Sequence, residues 1–321
     1  MKSNKSVIAR IIIWSLVALM LVGIMVVAIS GGFNNIARPW RNINWGGLEE
    51  AIVGDYYSDS EKYVVGGANI AAGNIKKVEV FWISGDVNVS VGDTSTIDFS
   101  ESYSRTLDPD YQMRYYVNGD TLIIQYCKSK ITFKGISRGF GKNLTLTLPE
   151  GIDLERLTVE SISGTVRVAD VNAKSEVDIS SVSGGMNIDN VSTGSIDIES
   201  VSGSIKMDGI YANYLDLENV SGNVEITNSE LSNVDVESIS GTVRVAPGAD
   251  VRDLSVENVS GSIYVSLPEN DGFTAYYSNA SGSFKCDFAV EMPGKKVARY
   301  KNGAAQLDLS SASGGIYIFK E

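Results

Sequence analysis

From residue 157 onward the chain repeats one phrase of apolar and polar positions: apolar-x-apolar, two residues, apolar-Ser-Gly, one residue, apolar-x-apolar. Its copies are LTVESISGTVRV, VDISSVSGGMNI, IDIESVSGSIKM, LDLENVSGNVEI, VDVESISGTVRV, LSVENVSGSIYV, AYYSNASGSFKC and LDLSSASGGIYI. Successive corner glycines are 20, 19, 19, 19, 20, 21 and 32 residues apart; the last spacing exceeds the first by twelve, which places an insertion around PGKKVARYKNG. A fixed period near twenty, with alternation of period two on both sides of a Ser-Gly corner, describes one coil of a parallel β-solenoid. Residues such as Val177, Ile179, Met186 and Ile188 are expected to point inward and stack on their counterparts about 4.8 Å away. Four or five aliphatics per coil, at roughly 1.5–3 kcal/mol each, offset the cost of ordering the backbone only when coils stack.

The corner pairs are Ser163–Gly164, Ser183–Gly184, Ser202–Gly203, Ser221–Gly222, Ser240–Gly241, Ser260–Gly261, Ser281–Gly282 and Ser313–Gly314. Each glycine is expected at positive φ, where a Cβ is penalised. The serine hydroxyls are expected to form a hydrogen-bonded ladder, with a ligand groove along the row as the alternative. An earlier copy, VEVFWISGDVNV, spans Val78–Val89 with Gly85 as its corner. It reads as a leading coil or the first strands of a capping module. After it, YYVNGDTLII places Asn118 and Gly119 as a two-residue hairpin turn, and NLTLTLPEG alternates into the array. The expected fold class is thus all-β: a parallel β-solenoid of about eight coils over residues 151–321, with a β-rich N-terminal cap over residues 76–150 that protects its end.

Ile11–Ile29 carries no charge, and nineteen residues at about 1.5 Å each approach the hydrocarbon thickness. Lys2, Lys5 and Arg10 precede it, so residues 1–10 are expected as a cytoplasmic tail, 11–30 as a transmembrane signal-anchor helix, and the remainder as extracytoplasmic. A cleaved signal peptide is the rival reading, with Ala28 and Ser30 before Gly31. Residues 31–75, including Trp40 and Trp45, are expected as a juxtamembrane linker. The chain is thus read as a single-pass protein of the cell membrane.

Formal charge is −12; the first thirty residues hold three bases and no acid, so the rest carries 24 minus 39, or −15. That balance argues against nucleic acid as a partner. The absence of histidine removes Ser-His-Asp and Cys-His nucleophile pairs and the common zinc sites. With two cysteines there is no disulfide scaffold; Cys286 occupies a core position of its repeat and is expected as a small buried hydrophobe, with a bridge to Cys127 as the alternative.

Two outward rows are the candidate sites. Before the corner, Asp178, Asp197, Asp216 and Asp235 occupy equivalent positions in four consecutive copies; Asp308 repeats them, while Thr158, Ser255 and Tyr276 interrupt. Calcium is the metal such a row would attract, yet the ladder has no known loop signature and reads first as a solvated face. No metal or cofactor is assigned. After the corner, Arg167, Lys206, Arg244, Tyr264, Lys285 and Tyr317, interspersed with Asn187 and Glu225, form a mixed face suited to glycans or peptides.

KKVEVFWISGDVNV, then IIQYC, then LTLPEGIDLERLTVESISG and the tandem SVSG coils together resemble the bacterial putative-adhesin family of β-strand-repeat domains of unknown function, over about residues 76–320. The resemblance implies a β-solenoid with an adhesive or envelope role and supplies no catalytic residues. The expected function is a non-enzymatic binding surface displayed outside the cell, meeting envelope glycans, peptides or another membrane protein. A regulatory module acting through a membrane partner is the alternative. A carbohydrate-active enzyme is the third reading, disfavoured because its carboxylates should pair irregularly in a cleft.

Overall fold

The computed structural model describes residues 60–128 and 141–321. The expected tail and anchor, and the linker to residue 59, lie outside the described residues. Two compact units are present, residues 1–63 with 127–138 and residues 64–126 with 139–321. Of the first, a 3-10 turn at Ser60–Lys62 is described. Among the described residues no helix is long and apolar enough to cross a membrane. The second unit holds all the repeats.

Its strands pair in parallel, register by register, at the repeat period: Val166 faces Met186, Met186 faces Ile205, Ile205 faces Val224, and Val224 faces Val243. The alternation places the expected side chains in the column: Val177, Ile179, Met186 and Ile188 are all buried. Four successive coils have a third, shorter side that the twelve-residue phrase did not reveal. There Val171, Val191, Ile210 and Leu231 point inward. The chain reaches that side through a second corner at positive φ, occupied by Asp170, Asn190, Gly209 and Asn228. Aspartate, asparagine and glycine are the residues that adopt this conformation at least cost.

At the first corner the glycines have φ between 103° and 154°. Their N–H groups donate to the serine carbonyl one coil on: Gly164 to Ser183 at 3.0 Å, Gly184 to Ser202 at 2.9 Å, Gly203 to Ser221 at 2.9 Å. The corner ladder is therefore a backbone ladder. The eight serine hydroxyls expected to form it are exposed to solvent instead, and no hydrogen bond joins them among the described residues.

A different polar row faces inward, two residues before seven of the eight corner serines. In register it runs Ser161, Ser181, Ser200, Asn219, Ser238, Asn258 and Ser311, all buried. The Oγ atoms of Ser161, Ser181, Ser200 and Ser238 have no hydrogen-bond partner. A buried hydroxyl without a partner costs about 1–3 kcal/mol. Ser181→Ala should therefore be neutral or stabilising by up to about 1 kcal/mol in denaturant unfolding. A loss of more than about 1 kcal/mol would mean that the hydroxyl is bonded after all.

Ten coils stack among the described residues, and their order in space departs from their order in the chain at both ends. The leading copy, Lys77–Ser84 with Val87–Gly92, lies directly on Arg156–Ser163 with Val166–Ala169. It is a full coil, which decides between the two readings of that segment. Outside it lies a coil with no Ser-Gly corner, Thr121–Gln125 with Asn143–Pro149. The parallel stack therefore begins within the expected cap. At the other end, Asp253–Ser260 pairs with Ala305–Ser313, which pairs in turn with Gly272–Ser281. The last copy in the chain is thus the ninth coil, clamped between the eighth and the tenth.

Antiparallel strands cover the exposed ends, the standard protection for a sheet edge. Arg114–Asn118 covers Thr121–Gln125, and Thr96–Ser102 covers Asn143–Pro149. Val64–Val65 and Ala68–Ala71 extend these strands, so the end of the expected linker is part of the cap. The hairpin turn is Gly119–Asp120, because Asn118 pairs with Thr121 and only Gly119 of the expected pair has positive φ. Behind this cap Lys142 is fully buried, paired with Glu101, donating to the Tyr111 carbonyl at 2.7 Å, and 4.3 Å from the centre of the Tyr126 ring. At the far end, Val297–Lys301, formed by the insertion around PGKKVARYKNG, covers Gly272–Tyr276. Tyr277 and Phe284 occupy core positions of the tenth coil and stack at 3.8 Å across the end of the column. Cys286 shares that terminal coil and is half-buried rather than buried; burial pushes its thiol pKa up. No disulfide joins the two cysteines.

Candidate binding surfaces

The expected aspartate row is in register: Asp178 faces Asp197, Asp197 faces Asp216, and Asp216 faces Asp235. Beside it runs a glutamate row that was not among the expected site residues, Glu199, Glu218, Glu237 and Glu257, also in register. Its signal was present in the IES, LEN, VES and VEN steps before each corner. Asp178, Asp197, Glu199 and Asp216 each have further interactions, so these are not bare charges. Among the described residues no group of three or more acids is arranged to hold a metal ion. Straight rows on a flat sheet aim their carboxylates outward in parallel, whereas a cation needs them to converge.

The crowding instead shifts protons. Burial, then the charges of Glu199, Asp216, Glu237 and Asp197, raise the Glu218 pKa to about 7. Glu237 is raised as well, by burial and then by Asp235, Glu257 and Asp216. A carboxyl whose folded pKa is raised contributes stability that is complete below its unfolded pKa of 4.5 and disappears as pH rises through about 7. The thermal midpoint should therefore fall between pH 5 and pH 8. Glu218→Gln should flatten that fall and stabilise the protein at pH 8 by about 1 kcal/mol, a figure discounted for solvent screening. An unchanged pH profile in this variant would contradict the assignment.

On the post-corner sheet the transposed ninth coil brings part of the expected surface together. Glu225 faces Arg244, Arg244 faces Tyr264, Tyr264 faces Tyr317, and Tyr317 faces Lys285. Tyr264 and Tyr317 are 53 residues apart in the chain, yet their rings stack at 5.0 Å with planes 12° apart. Phe319, which was not among the expected surface residues, joins them at 6.1 Å from Tyr264 and 6.3 Å from Tyr317, again near-parallel. Its signal was its outward place in the alternation GIYIFK. The Arg244 guanidinium lies 4.8 Å from the centre of the Tyr264 ring. Arg167 and Lys206 belong to the same row but stand apart from this cluster. Five rungs, or about 24 Å, separate Arg167 from Tyr264, and Arg167 is ion-paired to Asp86 at 2.9 Å.

Fold and faces together define an end-capped parallel β-solenoid whose surface chemistry is laid out in straight rows. The Toastrack DUF4097 family model matches residues 74–318, and the chain belongs to that family. Among solved structures it is similar to a putative cell adhesion protein from Clostridium sporogenes ATCC 15579, at 11% identity over 81% of this chain and 100% of that one, with a TM-score of 0.28. It is also similar to a putative adhesin from Bacteroides fragilis NCTC 9343, at 14% identity over 80% of this chain and 97% of that one, with a TM-score of 0.47. No curated protein matches.

Proposed function

We propose that the chain is a membrane-anchored, extracytoplasmic binding module of adhesin type, non-catalytic, presenting its post-corner sheet to a ligand outside the cell. The observation that carries this reading is the aromatic cluster of Tyr264, Tyr317 and Phe319, beside Arg244, on an otherwise polar sheet. Aromatic and arginine side chains concentrate binding energy at contact surfaces. The anchor rests on the uncharged run Ile11–Ile29 and the bases before it. The non-catalytic reading rests on the lack of histidine and on carboxylates that, among the described residues, run in rows along the sheet. Full-length chain reconstituted in nanodiscs should be retained on beads carrying isolated cell-envelope polysaccharide. Release of sugar from those beads would overturn the non-catalytic reading. Recovery of a sensor or transporter subunit from native membranes, with no retention on the beads, would favour the regulatory alternative.

A further inference from the structure

We infer that the far end of the stack is a docking edge for a second copy of this chain, joined antiparallel along Gly282–Cys286. The inference goes beyond the sheet-face reading above and uses none of the residues that carry it. The two ends of the column are finished differently. At the near end the outermost coil keeps Leu122, Ile124, Leu144, Leu146 and Leu148 fully buried. At the far end Val297–Lys301 covers Gly272–Tyr276 and stops there. Phe273 and Ala275 beneath it are fully buried, whereas Tyr277, Phe284 and Cys286, the next core positions of the same coil, are partly exposed. Their counterparts in the ninth coil, Leu309, Ile316 and Ile318, are at most 2% exposed.

The backbone is open over the same stretch. The corner N–H groups of Gly85, Gly164, Gly184, Gly203, Gly222, Gly241, Gly261 and Gly314 each donate to a serine carbonyl of the next coil in the stack. Gly282, the last corner, has no such acceptor among the described residues. Neither has Phe284, whose ninth-coil counterpart Ile316 donates to the Ser283 carbonyl at 2.9 Å. The Ser283 carbonyl and the Asp287 N–H, which donates to Ile318 at 3.0 Å, both point to the ninth coil. Strand alternation therefore turns the N–H and C=O groups of Phe284 and Cys286 away from it. Open backbone groups at strand spacing, beside half-exposed apolar side chains, are what another extended strand fills.

The edge is its own complement, and that selects the occupant. In an antiparallel pair centred on Phe284, the Phe284 N–H of each copy donates to the Phe284 carbonyl of the other, and each Gly282 N–H donates to the opposite Cys286 carbonyl. This continues the coil-to-coil ladder by one rung and gives both open donors an acceptor. It also brings the two Phe284 side chains, each stacked on its own Tyr277, side by side over the open end of the column. Ser283 then lies opposite Lys285 of the other copy, whereas a register centred on Lys285 would oppose two like charges. The two-fold pairing uses both edges and closes at two copies.

The test uses full-length chain at one copy per nanodisc, so that any contact forms between separate membranes. Sedimentation should show discs pairing as concentration rises, with no larger species, and amide exchange at Gly282 and Phe284 should slow as pairs form. Ser283→Lys sets lysine against Lys285 at both symmetric positions and should weaken pairing about tenfold. Mixing Ser283→Lys discs with Lys285→Glu discs should restore it as mixed pairs. Thermal midpoints matching the parent show that these variants keep the fold. In chains carrying Cys127→Ala and Cys286→Ala, Ser283→Cys and Lys285→Cys should form a disulfide when the two are mixed, since such opposed residues hold Cα atoms about 4.5 Å apart. Discs that stay single and yield no mixed disulfide would overturn the inference. Pairs indifferent to Ser283→Lys and without the mixed disulfide would place self-association elsewhere and overturn the edge. Slowed exchange at Gly282 and Phe284 on adding solubilised envelope proteins, with none from a second copy, would overturn the choice of occupant.

Discussion

Deleting residues 304–321 should unfold more than the deleted coil. In a stack that follows chain order, loss of the last coil removes one interface and leaves its predecessor intact. Here the last coil is ninth of ten, paired on one side with Asp253–Ser260 and on the other with Gly272–Ser281. Its Leu307, Leu309, Ile316 and Ile318 are buried in the column, a gross contribution of roughly 6–12 kcal/mol at about 1.5–3 kcal/mol each. Without it the tenth coil has no parallel neighbour. Glu269, held near pKa 2 by Lys301, Lys320 and the Tyr300 hydroxyl, also loses Lys320, one of the two lysines that tie the hairpin to the ninth coil. Amide hydrogen exchange of the truncated chain should show residues 272–301 unprotected, while coils from Lys77 to Val245 keep their protection. Protected amides in 272–286 after the deletion would contradict this expectation.

The second large effect is expected at the corners. Gly222 has φ +136°, a conformation that L side chains rarely adopt, and a Cβ there would overlap the carbonyl of Gly203 in the neighbouring coil. Backbone strain of about 1–3 kcal/mol and overpacking of about 1–3 kcal/mol act together. Gly222→Ala should therefore lower unfolding stability by about 3 kcal/mol or more. The matching control lies one residue past a corner. Gly185 lacks a positive φ, and the nearest atom to its Cβ would be the Ser204 carbonyl oxygen at 3.5 Å. Gly185→Ala should stay within about 0.5 kcal/mol of the parent. Equal losses from the two substitutions in denaturant titrations would show that corner geometry does not decide the matter.

These two cases also show what was readable in the chain. Period and alternation expose the inward rows and the corner glycines, because each coil must place small and apolar residues at the same angle around the column. Neighbour identity is not periodic information. Spacing locates Gly282 and Gly314 along the chain, but only the excursion through Val297–Lys301 determines that the later copy lies inside the earlier one. The outermost coil, Thr121–Gln125 with Asn143–Pro149, was hidden because it lacks the Ser-Gly corner, whose place is taken by the backbone at Lys142. The inward serines at 161, 181 and 200 were hidden because hydropathy assigns serine to the surface, and because the same place holds Trp82, Asn219 and Asn258 in other coils, so no one residue type marks it. The same transposition assembled the aromatic cluster: Tyr264 and Phe319 become neighbours only when the ninth coil is in place.

Proximity across the eighth and ninth coils tests this arrangement most directly. Register places Ser255 beside Asp308, and Asp308 beside Tyr276. In a chain carrying Cys127→Ala and Cys286→Ala, the pair Ser255→Cys with Asp308→Cys should oxidise to a disulfide, since adjacent strands hold Cα atoms within bonding reach. The pair Ser255→Cys with Tyr276→Cys, two rungs or about 10 Å apart, should stay reduced. The reverse pattern, with 255 joined to 276 and not to 308, would mean that the coils stack in chain order and that the transposition is wrong.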